Sequence, residues 1–312
     1  MLSWGGMRIR SRELYDASGN SLLLIHLEGR FSFDDECLRR ELRTAGLACD
    51  ADSVLIVTGD PLNASAQGYH LAMEVFEPRG RDPAGLPGSW STMCGNGIRS
   101  VGCYLRDSYS GSPTFAVRTR SGTIHVDVLS DNQFNAYMGE FTQSRENLGR
   151  YIRDFDFRWI RDLLDHSLSV ASITAGLNGY PDAAGRIDGE PQLLISIDRG
   201  PSDLPQLVKV ANEVGETISS NREVFPREIN LSLAMMEEDD DEVRSIACAF
   251  ERGVEYVTQS SGTAATAIGS SFLSRNPAVQ RVSVQMPGGR LQISRGERGY
   301  LLQGPVIPIR LR

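Results

Sequence analysis

The chain has 312 residues, of which 40% are hydrophobic and 23% are charged, and its formal net charge is -8. This length can bury a large core and suggests two domains or one large domain. The negative charge argues against a nucleic-acid partner, no stretch approaches the roughly 18 apolar residues of a membrane helix, and the N-terminus lacks the apolar region of a signal peptide. We therefore expect a cytoplasmic protein that binds neither nucleic acid nor a membrane.

Apolar and alternating runs closed by turn residues predict strands, and segments with helical spacing predict helices. In chain order we predict a strand over 21–27, a helix over 32–46, strands over 53–59 and 71–78, a Gly- and Pro-rich loop over 80–89, a buried strand over 192–198 and a helix over 204–217. The acidic run "MEEDDDE" over 236–242 predicts a solvated loop.

One pattern occurs twice in the chain. "CGNGIRSVGCYL" (94–105) is a glycine turn that opens a helix of small and apolar residues, followed by two strands over 115–128. "SGTAATAIGSSFL" (261–273) is a similar turn and helix, followed by two strands over 281–294. Each half thus has a turn, a helix and a hairpin, which hints at two related lobes, although so short a similarity does not establish a repeat.

The five cysteines have irregular spacing and no C-x-x-C pair, and the four histidines are scattered, so neither a disulfide framework nor a zinc site is indicated. Cys94 differs from the other cysteines because it precedes a glycine turn at a predicted helix start. Such a helix start carries unpaired N–H groups and about half a positive charge, which binds a carboxylate and lowers the pKa of a thiol. Cys94 is either a packed core thiol or a thiolate base beside a bound carboxylate, and we treat the other four cysteines as packing residues.

The chain resembles diaminopimelate epimerase and related cofactor-independent amino-acid racemases. The resemblance is carried, in order, by "ASGNSLLLI" (17–25), "MCGNGIR" (93–99), "GEPQLLISID" (189–198), "FPREINLSLA" (225–234), "FERGVEYVTQSSGTAATA" (250–267) and "MPGGRLQI" (286–293). It implies an α/β fold of two similar lobes, each a barrel-like mixed or antiparallel sheet around a central helix, with the active site in the cleft. The lobes would comprise residues 1–140, with the last strand 303–312 returning to them, and residues 141–302.

The resemblance also implies a homodimer and a two-base mechanism that needs no pyridoxal phosphate, no metal and no other cofactor. Cys94 matches the first catalytic cysteine, and Ser261 stands where the family has the second. The positions that match substrate-binding residues of the family are Asn20, Glu77, Gly95, Asn96, Glu190, Asn230, Glu251, Arg252, Gly262 and Thr263.

The chain departs from the family at several of these positions. Glu77 and Glu190 replace asparagines, Gln192 replaces a histidine, and Ser53 replaces a glutamine. Two added carboxylates disfavour a distal carboxylate on the substrate and favour a cationic side chain. For Glu77 a solvated carboxylate at a loop edge is the alternative.

A serine hydroxyl is a far weaker acid than a thiol, so Ser261 leaves three outcomes open. Ser261 reprotonates the carbanion slowly, or the chain eliminates a β-substituent, or activity is lost. We expect a racemase or epimerase acting on an amino acid with a cationic side chain, by way of a Cys94 thiolate. The alternatives are a dehydratase or lyase that forms the same carbanion, and a non-catalytic amino-acid-binding protein.

Overall fold

The structure is a computed structural model that describes residues 3–4, 7–29, 31–32, 35–82, 85–109, 112–181, 187–200, 203–239, 242–254 and 256–310. The chain forms two compact units. Lobe 1 comprises Met1–Ala136 and Gln303–Arg312, and lobe 2 comprises Tyr137–Leu302. No helix within the described residues is long and apolar enough to cross a membrane.

In the first part of the chain the elements are β1 (Ser3–Trp4), β2 (Met7–Ala17), β3 (Asn20–Glu28), α1 (Glu36–Ala48), β4 (Ser53–Thr58), a short 3-10 turn (Pro61–Asn63), α2 (Ala64–Gln67), β5 (Leu71–Arg81), β6 (Pro87–Ser91), α3 (Gly95–Ser108), β7 (Thr114–Thr119), β8 (Gly122–Ser130) and β9 (Gln133–Tyr137). Strand β3 pairs with β2 in antiparallel and with β4 in parallel orientation, β5 is antiparallel to β4, and β7 is parallel to β5. The two parallel pairs are connected through α1 and α3.

The rest of the chain forms β10 (Glu140–Thr142), α4 (Arg145–Leu148), α5 (Arg158–Leu164), β11 (Ser169–Pro181), β12 (Ile187–Arg199), α6 (Leu204–Ser219), β13 (Asn230–Asp239), β14 (Glu242–Glu251), β15 (Tyr256–Val257), α7 (Gly262–Arg275), β16 (Arg281–Met286), β17 (Gly289–Gly296), β18 (Gly299–Pro305) and β19 (Ile307–Ile309). Strand β12 is antiparallel to β11 and parallel to β13, β14 is antiparallel to β13, and β16 is parallel to β14. Helices α6 and α7 make the connections, so lobe 2 repeats the order of pairings in lobe 1.

Helices α3 and α7 occupy the same place in this repeated topology, and both are buried along most of their length. Each has a glycine eight residues after its cap that faces a strand of its own lobe. A Cβ would lie 2.4 Å from Val126 Cγ1 at Gly102 and 2.5 Å from Ile293 Cβ at Gly269. Only glycine permits this close approach. The predicted fold class, two similar lobes each with a mixed sheet and a buried central helix, is confirmed.

Local sequence explains the helix starts in lobe 1 and lobe 2. The Asp35 carboxylate accepts a hydrogen bond from the N–H of Leu38 at 3.0 Å, so α1 begins four residues later than predicted. Asp203 caps α6 in the same way through the N–H of Gln206 at 2.9 Å.

Two loop predictions were wrong in part. Strand β5 continues to Arg81, and Pro87–Ser91 forms β6, because Trp90 packs edge-to-face on Phe76 at 5.1 Å between ring centroids and holds the segment against the sheet. Residues 83–84 of the predicted loop lie outside the described part of the chain. The acidic run over 236–242 occupies the ends of the paired antiparallel strands β13 and β14, and its residues 240–241 are likewise not described.

Candidate active site

Cys94 is the N-cap residue of α3. Its backbone is extended, with φ -136° and ψ 113°, and its Sγ accepts a hydrogen bond from the N–H of Gly97 at 3.2 Å. A Cβ at Gly97 would lie 2.7 Å from Leu55 Cδ2, so the glycine lets the helix start lie directly against β4. The sulfur is therefore fixed at the positive end of a buried helix, where a thiolate is stabilised.

Arg99 lies one turn further along α3 and is fully buried. Its Nη2 donates to Asn96 Oδ1 at 2.6 Å, and its Nη1 donates to the carbonyl of Pro305 at 3.1 Å. Burial lowers the pKa of Arg99 to about 10, whereas the nearby Cys94 thiolate would raise that pKa. Because a pKa of about 10 leaves the guanidinium protonated at neutral pH, a positive charge lies beneath the Cys94 turn and the Asn96 side chain is held in one orientation.

Asn20, Ser53 and Glu77 lie at one edge of the lobe 1 sheet. Asn20 begins β3 after a turn in which Ser18 and Gly19 both have positive φ, and it is buried. Ser53 begins the parallel strand β4, and its hydroxyl donates to Glu77 Oε2 of β5 at 2.9 Å. The structure thus joins Glu77 to the start of β4 through Ser53.

Ser261 is the N-cap residue of α7 and has nearly the same conformation as Cys94, with φ -129° and ψ 113°. Its Oγ accepts a hydrogen bond from the N–H of Ala264 at 3.3 Å. The next two residues, Gly262 and Thr263, carry the first N–H groups of the helix, which have no acceptor within the helix itself. Lobe 2 therefore has a helix start of the same kind, with a hydroxyl in place of the thiol.

A row of buried polar side chains faces this helix start. Gln192 Nε2 donates to Thr263 Oγ1 at 3.2 Å, and Thr263 Oγ1 lies 3.2 Å from Ser261 Oγ. Asn178 Nδ2 donates to the carbonyl of Thr263. Asn178 is in register with Glu190 on the neighbouring strand, so the row continues along the same face of the sheet.

Glu190 and Arg252 form an ion pair in lobe 2. Glu190 Oε2 accepts from Arg252 Nη2 at 2.7 Å and from Nε at 3.2 Å, and the backbone N–H of Arg252 donates to Asn230 Oδ1 at 2.9 Å. Burial alone would lower the pKa of Arg252, but the adjacent Glu190 carboxylate outweighs it and raises that pKa. Arg252 thus neutralises the negative charge of Glu190 within lobe 2. Of the two carboxylates that favoured a cationic substrate in the sequence, Glu190 therefore no longer supports that preference.

The strand registers relate the two sets of predicted site residues. In lobe 1, Leu22 of β3 pairs with Ser53 of β4, and Val54 of β4 pairs with Phe76 of β5. In lobe 2 the corresponding pairs are Gln192 with Asn230 and Leu231 with Phe250. The equivalent pairs are therefore Asn20 and Glu190, Ser53 and Asn230, Glu77 and Glu251, Cys94 and Ser261, Gly95 and Gly262, and Asn96 and Thr263. Each lobe presents one strand edge and one helix start.

The other cysteines have structural surroundings. Burial raises the pKa of the Cys103 and Cys248 thiols to about 12, which keeps both neutral at physiological pH. All five cysteines are thiols rather than disulfides. No group of three His, Cys, Asp or Glu side chains able to hold a metal ion occurs among the described residues.

Comparison with known proteins places these features in context. The chain is 24% identical over 295 residues to a diaminopimelate epimerase from Halothermothrix orenii, covering 92% of each chain. Its fold matches a Bacillus anthracis phenazine biosynthesis protein of the PhzF family, with a TM-score of 0.59 and 13% identity over 97% of this chain and 98% of the other. It also matches a hydroxyproline epimerase from Agrobacterium vitis with bound trans-4-OH-L-proline, with a TM-score of 0.56 and 12% identity over 99% and 92% of the two chains.

No protein-family model matches the chain. The sequence similarity nevertheless spans nine-tenths of both chains, and it confirms the predicted resemblance to diaminopimelate epimerase. The solved structures show the same fold. The sequence similarity to diaminopimelate epimerase indicates an isomerase of the racemase and epimerase type.

Several residues that contact the predicted ligands were not predicted as site residues, among them Arg99, Gln192 and Asn178. Arg99 could have been found from the sequence, because it is the one charged residue in the small and apolar stretch 94–105 of the helix, and a buried charge requires a partner. Gln192 was noted as a departure from the family, without a role. Asn178 gave no local signal, because its contact with Thr263 spans 85 residues.

Proposed function

We propose that the protein is a racemase or epimerase that acts, without pyridoxal phosphate, at the α-carbon of a free amino acid, and that Cys94 is its principal base. The observation that carries this proposal is the position of Cys94, whose Sγ caps a buried helix next to the fully buried Arg99 guanidinium. A helix start and a buried cation both favour the thiolate over the thiol.

In the proposed reaction the Cys94 thiolate forms an S–H bond with the α-proton, and the Cα–H bond breaks. The electron pair stays on the α-carbon and is delocalised into the carboxylate. Backbone N–H groups at Gly95, Asn96, Gly262 and Thr263 would bind the carboxylate and stabilise the charge that develops on it. Ser261 would serve the opposite face of the α-carbon.

We also propose that the preferred substrate has a cationic side chain, and Glu77 is the residue that supports this preference. Its carboxylate lies at the sheet edge beside the start of β4, where it accepts a hydrogen bond from the Ser53 hydroxyl at 2.9 Å. Asn20, Asn230 and Glu251 complete the proposed ligands, while Glu190 and Arg252 bind one another. Thiols without disulfides fit a cytoplasmic enzyme.

The test is exchange of the α-proton in D2O, followed by proton NMR and chiral chromatography. The protein is incubated with the L and D enantiomers of basic, neutral and hydroxylated amino acids, and with diaminopimelate. We expect exchange with basic amino acids, and we expect Cys94→Ala to lower its rate by at least about 10²-fold, the usual contribution of a positioned base.

Cys103→Ala is the matched control, because Cys103 lies on the same helix and its thiol is buried and neutral. This variant should exchange at the wild-type rate. Exchange that survives Cys94→Ala would overturn the role of Cys94, and the absence of exchange with every amino acid of the panel would overturn the proposed activity.

A second candidate is a lyase that acts on a β-hydroxylated amino acid through the same carbanion. The hydroxyl at Ser261 favours it, because a serine is a poor partner for a thiolate in two-base inversion. In the same experiment a keto acid product would select the lyase.

A further inference from the structure

The Arg252 guanidinium already holds a carboxylate, and the chain itself supplies it. Glu190 Oε2 accepts hydrogen bonds from Nη2 at 2.7 Å and from Nε at 3.2 Å, and Nη1 donates to the carbonyl of Arg227 at 3.1 Å. A guanidinium only donates, so the direction of these hydrogen bonds is fixed. Its planar set of N–H groups suits carboxylates better than any other side chain does. Arg252 is therefore a carboxylate site with an internal occupant.

The two partners differ in their exposure to solvent. The Arg252 side chain is 24% exposed, whereas the Glu190 side chain is 5% exposed. A ligand carboxylate that displaced Glu190 would leave a buried charge without its partner, which is strongly unfavourable. Glu190 therefore stays on the guanidinium when other anions approach.

The ion pair lies near the start of α7 in lobe 2. Glu190 and Gln192 are two residues apart on β12, so their side chains share one face of the strand and their Cα atoms are roughly 7 Å apart. Gln192 Nε2 lies 3.2 Å from Thr263 Oγ1 at the helix start. A dicarboxylic amino acid whose α-carboxylate is bound at Thr263 would place its second carboxylate within reach of Arg252.

We infer that Glu190 is a specificity-determining residue, which occupies the carboxylate site at Arg252 and thereby excludes substrates that carry a second carboxylate. Such a carboxylate would meet a guanidinium that is already neutralised, and it would lie beside the negative charge of Glu190. An amino acid with one carboxylate needs no contact with Arg252. Because it concerns the substrate side chain, this inference rests on the proposed function.

Lysine and diaminopimelate are matched probes, because lysine is diaminopimelate without its second carboxylate. Isothermal titration calorimetry gives the Kd of each for the wild type and for Glu190→Gln, which keeps the length of the side chain and removes its charge. We expect the wild type to bind lysine more tightly than diaminopimelate. In Glu190→Gln the Kd for diaminopimelate should fall at least about tenfold relative to the Kd for lysine, the effect of one charge-assisted hydrogen bond.

Adding Arg252→Gln to Glu190→Gln removes the carboxylate site and should cancel this gain. A gain that survives in the double variant would mean that Glu190 acts by repulsion alone, and it would overturn the inference. Glu228→Gln is the matched control, because Glu228 is a carboxylate of the same lobe that binds Arg222 at 3.0 Å. It should leave both Kd values within about twofold of the wild type, since a partly exposed ion pair contributes little.

A second measurement needs neither turnover nor an amino acid. Phenylglyoxal modifies arginine side chains, and peptide mass mapping gives the rate at Arg252. Glu190→Gln should raise this rate about tenfold, because loss of the adjacent carboxylate lowers the pKa of Arg252 and uncovers its guanidinium. Glutarate, a dicarboxylate without an amino group, should slow the reaction again in the variant. Thermal unfolding of each variant shows that it is folded.

The outcomes separate this inference from the proposed function. An unchanged ratio of the two Kd values in folded Glu190→Gln, or an unchanged rate of Arg252 modification, would overturn the inference, while α-proton exchange with basic amino acids would still support the proposed function. Absence of exchange with every amino acid, together with the gain in diaminopimelate binding, would overturn the proposed function and support the carboxylate site at Arg252.

Discussion

The sequence does not distinguish Glu77 from Glu190, since each is a carboxylate at a position where the resemblance predicts an amide. The structure shows that the two carboxylates have different hydrogen-bond partners. Glu190 is bound by the Arg252 guanidinium through two hydrogen bonds. Glu77 accepts a hydrogen bond from a neutral hydroxyl. We propose Glu77 as the carboxylate that a cationic substrate would contact, because Glu190 is already paired with Arg252.

Glu77→Gln tests this distinction at the level of one residue. We expect the KM for a basic amino acid to rise about fivefold, the contribution of a partly exposed ion pair, while the KM for a neutral amino acid stays constant. Glu74→Gln is the control, because Glu74 lies on the same strand and binds Arg120. An equal rise in KM for basic and neutral amino acids would show that Glu77 has a structural role.

The sequence was sufficient to place helix starts at Cys94 and Ser261, because a glycine turn and a helix follow each of them directly in the chain. The catalytic role proposed for Cys94 came from that turn and from the resemblance to diaminopimelate epimerase, and the role proposed for Ser261 came from the resemblance. The partners of these residues were not predictable in the same way. Glu190 and Arg252 are 62 residues apart, and Gln192 and Thr263 are 71 apart, so only the folded sheet shows that they meet.

The elements follow a similar rule. Strands β3 and β4 and the helices after the two glycine turns were predicted to within a few residues, because periodicity and turn chemistry are local signals, whereas β2 was not predicted. The segment over 80–89 was not, because β6 is rich in Gly and Pro and is a strand only through its pairing with β5 and the packing of Trp90 on Phe76.

Within lobe 1 a buried histidine links a strand to the central helix. His26 of β3 lies 2.9 Å from the Tyr104 hydroxyl of α3 through Nδ1 and 3.0 Å from the carbonyl of Gly59 through Nε2. The carbonyl can only accept, so Nε2 carries the proton and Nδ1 accepts from Tyr104. Burial lowers the pKa of His26, which keeps the imidazole neutral in the folded state.

This link makes the stability of lobe 1 dependent on pH. His26 binds a proton at about pH 6.5 in the unfolded chain and at a lower pH in the folded chain. The stability that the neutral His26 contributes to folding is therefore fully present above about pH 6.5 and is lost as the pH falls. We expect the free energy of unfolding to decrease by up to about 1.4 kcal/mol per pH unit below that point. Urea titrations between pH 7.5 and pH 5 should show a smaller decrease in His26→Gln.

His166→Gln provides the comparison for this experiment, because His166 is exposed and its variant should retain the pH dependence of the wild type. If His26→Gln and the wild type lose the same free energy of unfolding between pH 7.5 and pH 5, a neutral His26 bound to Tyr104 is not the source of the pH dependence.

At the scale of the whole molecule, lobe 1 is built from both ends of the chain. Strand β19 pairs with β2, with Ile307 opposite Asp16 and Ile309 opposite Leu14. The same terminal segment supplies the Pro305 carbonyl that accepts a hydrogen bond from Arg99. The last ten residues therefore complete the sheet and also hold the arginine beneath the Cys94 turn.

Deletion of residues 303–312 tests this two-segment construction. Lobe 1 would lose the β19 pairing, the buried Val306 and the acceptor for Arg99, whereas lobe 2 would keep its own core. We expect amide hydrogen exchange to accelerate at least tenfold in β2 and α3 and to change little in α6 and β13, because protection reports local opening. Deletion of residues 310–312 alone leaves β19 whole and should change neither lobe. Equal loss of protection in α3 and α6 on the longer deletion would mean that the two lobes do not unfold as separate units, and that the terminal segment stabilises the chain as a whole.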